Sequence, residues 1–207
     1  MLIYCKLLHS RVARLECSWY VPTIEWRAMD QSAGDSGRLF LAVVPDAETA
    51  AWIYRLAEAL RQAHKFDGRI TAAARLHVSL FSLGGLPEHF VRMACEAAAE
   101  IRVPPFEVSF DRSASFRGKA GNRPFVLVGD HGLDRLKSFR RTLGVAMARK
   151  GLKHLAKRDF TPHITLLYAE RCVEEHPVEP ICWTVNEIVL IHSKQGHAHL
   201  ARWPLRV

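Results

Sequence analysis

Apolar positions along this chain fall into runs whose period changes several times, and the first clear run follows the small polar stretch "MDQSAGDSG". "RLFLAVV", beginning at Arg38, is short and almost continuously apolar, which predicts a buried strand; Pro45 ends it and Asp46 stands where a helix needs an N-cap. Ala50, Ile53, Leu56, Ala57 and Leu60 then recur on one helical face. "RLHVSLFSL" alternates like a strand and is closed by Gly84 and Gly85, after which "PEHFVRMACEAAAEI" keeps a helical period behind a proline suited to a helix N-terminus. "FEVSFDRSASF" and "PFVLVG" predict strands, "GLDRLKSFRRTLGVAMARKGL" a long amphipathic helix closed by Gly151, and "FTPHITLLY" a further strand. The last segment, "CWTVNEIVLIHS" and "HAHLARWPLRV", predicts two strands joined by a turn at Gln195 and Gly196. The pattern is that of an α+β chain in two similar halves.

Composition narrows this only modestly. A chain of 207 residues, 49% hydrophobic and 24% charged, is long enough for one substantial core or two closely joined lobes and lacks the profile of disorder. No stretch approaches the roughly 18 continuous apolar residues a membrane span needs. The N-terminal "MLIYCKLLHSRVARLECSWYV" is interrupted by Lys6, His9, Arg11 and Arg14 before a signal peptide could form, so export is not expected. Cys5, Cys17, Cys95, Cys172 and Cys182 are an odd number with no C-x-x-C spacing, which argues against a disulfide framework and fits a reducing cytoplasm. The net charge of +8 favours ligands that carry phosphate without identifying one.

The chemistry lies in the strands "RLHVSLFSL" and "FTPHITLLY". Side chains alternate across a strand, so His77 and Ser79 share one face while Leu76, Val78 and Leu80 take the other; His163 and Thr165 repeat the arrangement, opposite Ile164 and Leu166. Roughly one H-x-[ST] match is expected by chance in a chain with this many histidines. The shared context of the two copies is what carries weight: each lies in a strand after a predicted helix, with the imidazole and hydroxyl on the less apolar face. If those faces oppose one another, the set suits a phosphodiester. One neutral imidazole can take a proton from water while a protonated one supplies the leaving alkoxide, and the hydroxyls can donate to the non-bridging oxygens. An ordinary pKa of about 6.5 makes both states of histidine accessible near neutrality.

These strands, with "RLFLAVVPD" before them and "WTVNEIVLIHS" after, resemble the 2H phosphoesterase superfamily, and most closely its RNA 2′,3′-cyclic phosphodiesterases, also called the 2′-5′ RNA ligase family. The resemblance covers about residues 38–207. It implies a bilobal α+β fold with pseudo-twofold symmetry, each lobe built on an antiparallel-rich sheet with helices on its outer face and the active-site cleft between the lobes. It also implies metal-independent opening of a 2′,3′-cyclic phosphate to a 2′-phosphomonoester, with no cofactor. His77 would then be the general acid, His163 the base, and Ser79 and Thr165 the phosphate-binding hydroxyls. Residues 1–37 are left as an N-terminal extension, with Met29 an alternative start, ahead of a single domain over 38–207. The expected substrates are RNA ends or a small cyclic nucleotide, acted on by a cytoplasmic monomer without membrane association.

The chain departs from the familiar pattern in two places. Ser79 replaces the more usual threonine, which keeps the donor. Tyr168 stands near where some members carry an arginine that approaches the phosphate, so a cation must come from elsewhere; Arg75, Arg123 and Arg158 are the candidates by proximity in sequence. Phe81 and Phe116 could stack on a nucleobase, although core packing is the favoured reading for both. His197 and His199 have the i, i+2 spacing of a zinc pair, without a third ligand in view; an exposed polar edge is the plain reading of that stretch. Most of the basic charge of "RRTLGVAMARK" reads as the wet face of a helix. Two other functions stay open: a histidine-based metallohydrolase using His197 and His199, and a non-catalytic RNA-binding module.

Overall fold

The computed structural model describes residues 39–119, 121–156, 159–193 and 196–207; the proposed extension at 1–37, Arg158 and Gln195 lie outside the described residues. Eight strands form two four-stranded antiparallel sheets, ordered β2-β1-β7-β8 and β5-β4-β3-β6. The first contains β1 (Leu39–Val43), β2 (Val78–Ser82), β7 (Glu187–His192) and β8 (Ala198–Pro204). The second contains β3 (Phe106–Ser115), β4 (Arg123–Val128), β5 (Ile164–Ala169) and β6 (His176–Val185). Helices α1 (Ala47–Ala63), α2 (Glu88–Glu100), α3 (Asp134–Arg149) and the short α4 (Lys153–Ala156) complete the α+β fold.

Local signals account for most of these boundaries. The Asp46 carboxylate accepts the backbone N–H of Thr49 at 2.8 Å and so caps α1, as the sequence suggested. Gly151, with φ near +92°, occupies the left-handed conformation that follows α3. Ala50, Ile53 and Ala57 of α1 and Val91, Ala94 and Ala98 of α2 are buried in one core that also takes Leu41, Val78, Leu127 and Ile164 from the two sheets. Each sheet thus buries one face in the common core. Its other face carries a smaller apolar patch: Phe40, Ala42, Val189 and Ile191 on the first sheet, and Ala114, Val126 and Val128, with Phe116 against them, on the second.

Both motif strands are edges, and both are bulged at the same place. Ala42 pairs with Ser79 but Leu41 with Phe81, so Leu80 is an extra residue in β2; Val126 pairs with Thr165 but Phe125 with Leu167, so Leu166 is its counterpart in β5. The carbonyl of each bulged leucine is taken by a donor from outside the sheet, Arg140 Nε for Leu80 at 3.2 Å and the Thr71 N–H for Leu166 at 2.7 Å. The second contact, with an Ile70–Leu167 bridge beside it, lays the segment leading into β2 along the edge of β5.

Three sequence expectations are corrected. "CWTVNEIVLIHS" is not one strand: β6 ends at Val185 in the second sheet, β7 begins at Glu187 in the first, and Asn186 alone lies between them. The lobes are therefore not sequence halves, because β7 and β8 return to the sheet of β1 and β2. β6 also starts earlier than its composition suggests, at His176, taking in Pro177 and Pro180. It is an edge strand, where a missing N–H removes nothing from a neighbouring ladder.

Candidate active site

His77 and His163 each sit one residue before a motif strand and are held in the same way. The Nδ1 of His77 lies 2.8 Å from the carbonyl oxygen of Arg75, and the Nδ1 of His163 lies 2.7 Å from that of Thr161. A carbonyl can only accept, so each Nδ1 carries the proton and each Nε2 is left for exchange with a ligand. Both rings rest on an aromatic from the inner patch of their own sheet: Phe40 with centroids 4.8 Å from His77, and Phe116 at 4.9 Å from His163. Ser79 Oγ is 3.1 Å from His77 Nε2 and donates to it when the imidazole is neutral. Thr165 shares the inner face of its sheet through its pairing with Val126.

The surroundings of His77 favour its neutral form. Burial pushes its pKa below the ordinary 6.5, and the charges of His163, Arg75 and His199 push the same way, against the Arg75 carbonyl bond. The action of His163 on His77 places the two imidazoles within electrostatic reach of one another. A third imidazole adjoins them. The ring of His197 packs edge-on to His77 with centroids 5.0 Å apart, its Nε2 is 3.5 Å from an Arg75 guanidinium nitrogen, and its buried Nδ1 has no partner. Burial, then His77 and Arg75, bring the His197 pKa down to about 4.

The exposed-edge reading of "HAH" is thus corrected for His197. His199 remains exposed, and its Nδ1 is 2.6 Å from an Arg202 nitrogen. A guanidinium at each imidazole makes the pair a poor cradle for a cation. Among the described residues no cluster of three or more His, Cys, Asp or Glu is arranged to hold a metal.

Ser79 from β2 and His163 from before β5 line one cavity of about 210 Å³, together with Arg140, Asp159 and Phe160. Arg140 is the cation that sequence proximity missed. It is 8% exposed, its guanidinium stacks between the rings of Phe81 at 4.5 Å and Phe160 at 4.8 Å, and burial lowers its pKa against the opposing pull of Asp159. The wet-face reading of α3 therefore fails at Arg140. No carboxylate among the described residues lies within ion-pair distance of it. The only signal in the sequence was a helical one: Arg140 falls beside Leu136 and Leu143 on the buried face of α3.

The other named residues separate. The bulge at Leu80 turns Phe81 into the core, where it is 4% exposed, instead of leaving it on the face of His77 and Ser79. Tyr168 is 48% exposed and lies beyond the Leu166 bulge, opposite Pro124. Arg123 donates to the Glu170 carbonyl at the end of β5, whereas Arg75 belongs to the His77–His197 group. Among the described residues no helix is long and apolar enough to cross a membrane.

Two mirrored sheets, each offering an imidazole and a hydroxyl at a bulged edge strand, are the architecture of the two-histidine phosphoesterases. The chain belongs to the 2′-5′ RNA ligase superfamily, whose sequence profile matches residues 44–197. E. coli LigT is similar over 82% of this chain and 98% of its own, with 29% identity and a TM-score of 0.63. A crystal structure described as a phosphoesterase matches at 26% identity and a TM-score of 0.60, over 83% of this chain and 99% of its own. TT0787 of Thermus thermophilus, at 20% identity and a TM-score of 0.62 over 82% of this chain and 98% of its own, shares the fold. No curated protein matches the chain in sequence.

Proposed function

We propose that the protein opens 2′,3′-cyclic phosphates at RNA ends or on small nucleotides to 2′-phosphomonoesters by metal-independent acid–base catalysis. The observation that carries this reading is the mirrored Nδ1-to-carbonyl bonding, which directs an Nε2 from each lobe toward proton transfer. His163 Nε2 takes a proton from the attacking water as its oxygen bonds to phosphorus. The bond from phosphorus to the 3′-oxygen breaks opposite, and that oxygen receives the proton of His77 Nε2. Ser79 and Thr165 donate to the non-bridging oxygens, where negative charge must be held. A catalyst serves both directions, so the same groups would join a cyclic phosphate end to a 5′-hydroxyl in a 2′-5′ linkage. The crystallisation of E. coli LigT with 3′-AMP, ATP, phosphate and NADP+ supports a nucleotide as ligand. In this reading the enzyme works as a cytoplasmic monomer.

The test is incubation with 2′,3′-cyclic nucleotides and cyclic-phosphate oligonucleotides in EDTA, with identification of the product. A 2′-phosphomonoester is expected; a 3′-phosphomonoester, or activity abolished by EDTA and restored by zinc, overturns the reading. His77→Ala and His163→Ala should each lower turnover by about 10²- to 10⁴-fold in protein that keeps its circular dichroism. Unchanged turnover in either folded variant refutes the two-histidine assignment, and no turnover in the unaltered protein places it among non-catalytic RNA binders.

A further inference from the structure

The cavity between Ser79 and His163, about 210 Å³, is small for a nucleotide. Pockets that enclose a small molecule run from roughly 300 to 1,000 Å³, so this space suits a cyclic phosphate and part of its ribose. A second cavity of about 530 Å³ adjoins it along α3 and shares Arg140, Asp159 and Phe160 with it. Arg140 thus stands at the junction of two spaces. Its Nε is committed to the Leu80 carbonyl, and its plane is fixed between Phe81 and Phe160.

A guanidinium buried to this degree without a carboxylate at ion-pair distance is costly unless something else supplies negative charge. Asp159 acts on it from farther away and is itself exposed. The lining beyond the junction is richer in donors than in acceptors. Arg141 reaches Ser138 Oγ at 3.0 Å, Lys137 is paired with Asp134 at 3.2 Å, and all four residues line the second cavity.

We propose that the α3 cavity is a second phosphate subsite, in which Arg140 and Arg141 hold the phosphodiester on the 5′ side of the terminal nucleoside. The preferred substrate is then an oligonucleotide end, and a free cyclic mononucleotide uses only half of the site. This assignment rests on the phosphodiesterase reading above and narrows its substrate class. Consecutive phosphates of a strand are one nucleoside apart, which matches two adjoining cavities with a cation between them. The exposed face of α3 alone would not suggest this; the buried guanidinium does.

The experiment compares kcat/KM for a nucleoside 2′,3′-cyclic phosphate with that for a dinucleotide ending in the same group, and for the same dinucleotide with a neutral methylphosphonate linkage. One charge-assisted contact makes the charged dinucleotide better by about 10-fold or more, and the neutral linkage removes that advantage. Arg141→Ala and Arg140→Lys should each narrow the ratio between charged dinucleotide and mononucleotide. The ratio is internal to each preparation, so partial misfolding does not imitate the effect. Equal kcat/KM on mononucleotide and dinucleotide overturns the subsite and leaves the phosphodiesterase reading standing. A preference that survives the neutral linkage also overturns it, because the extra base and not the phosphate is then recognised. Hydrolysis of none of the three overturns the phosphodiesterase reading, and the subsite falls with it.

Discussion

In the proposed reaction His77 has to be neutral at rest and an acid at work. Burial, with the nearby His163 and Arg75, holds its pKa below 6.5 in the free protein. A phosphodiester anion placed between the imidazoles counters that repulsion and favours protonation. The alkaline limb of kcat/KM reports the free enzyme and should therefore fall below pH 6.5, whereas that of kcat, which reports the complex, should lie at higher pH. Steady-state kinetics from about pH 4.5 to 9 check this on the scale of histidine titration; coincident limbs at or above the ordinary histidine value would refute it. At this scale the sequence was legible where chemistry repeats in a fixed spacing, as in His77–Ser79 and His163–Thr165. It was illegible where a contact depends on distant chain. Arg140 reaches the Leu80 carbonyl across 60 positions, and His197 meets His77 only because β8 returns to the first sheet.

Strand alternation was a sound guide up to each bulge and misleading after it. Val78 and Ile164 face the core as expected, but the extra leucine shifts Phe81 to the inside and leaves Ser82, not Phe81, opposite Phe40. A bulge sets two successive residues toward one face, so the doubled apolar pairs Leu80–Phe81 and Leu166–Leu167, where strict alternation breaks, are its trace in the sequence. At Asn186 the trace is fainter, because a polar Asn186–Glu187 pair inside an otherwise strand-like segment does not announce a change of sheet. The turn before the first motif is constrained by a close approach instead: a Cβ on Gly68 would fall 1.8 Å from the Tyr168 carbonyl oxygen and 3.2 Å from a Leu167 methyl. Gly68→Ala must push this segment off β5, and overpacking of this kind costs about 1–3 kcal/mol or somewhat more. Urea denaturation measures it, and an unchanged midpoint would show that the segment does not lie against β5.

For the molecule as a whole, the two-lobed architecture could be read from the repeated strand–helix pattern, while the crossing of the C-terminal strands could not. The histidines add a collective property. Burial lowers the pKa of His64, His77, His197 and His199 below the unfolded value of 6.5, that of His197 to about 4. Just below pH 6.5 the unfolded chain binds more protons than the folded one, so stability rises with pH in that window and is lost as pH falls through it. Thermal midpoints should decline steadily as buffers are taken from pH 6.5 toward 4, and His197→Asn should flatten the lower part of that decline. A midpoint constant across the window would contradict this assignment of neutral histidines.

Asn186 has a mechanical consequence. With one residue splicing the two sheets, and its carbonyl pinned by the Leu205 N–H at 2.7 Å, the chain has no slack there for the lobes to swing apart. The gap between them behaves as a caliper locked at one setting.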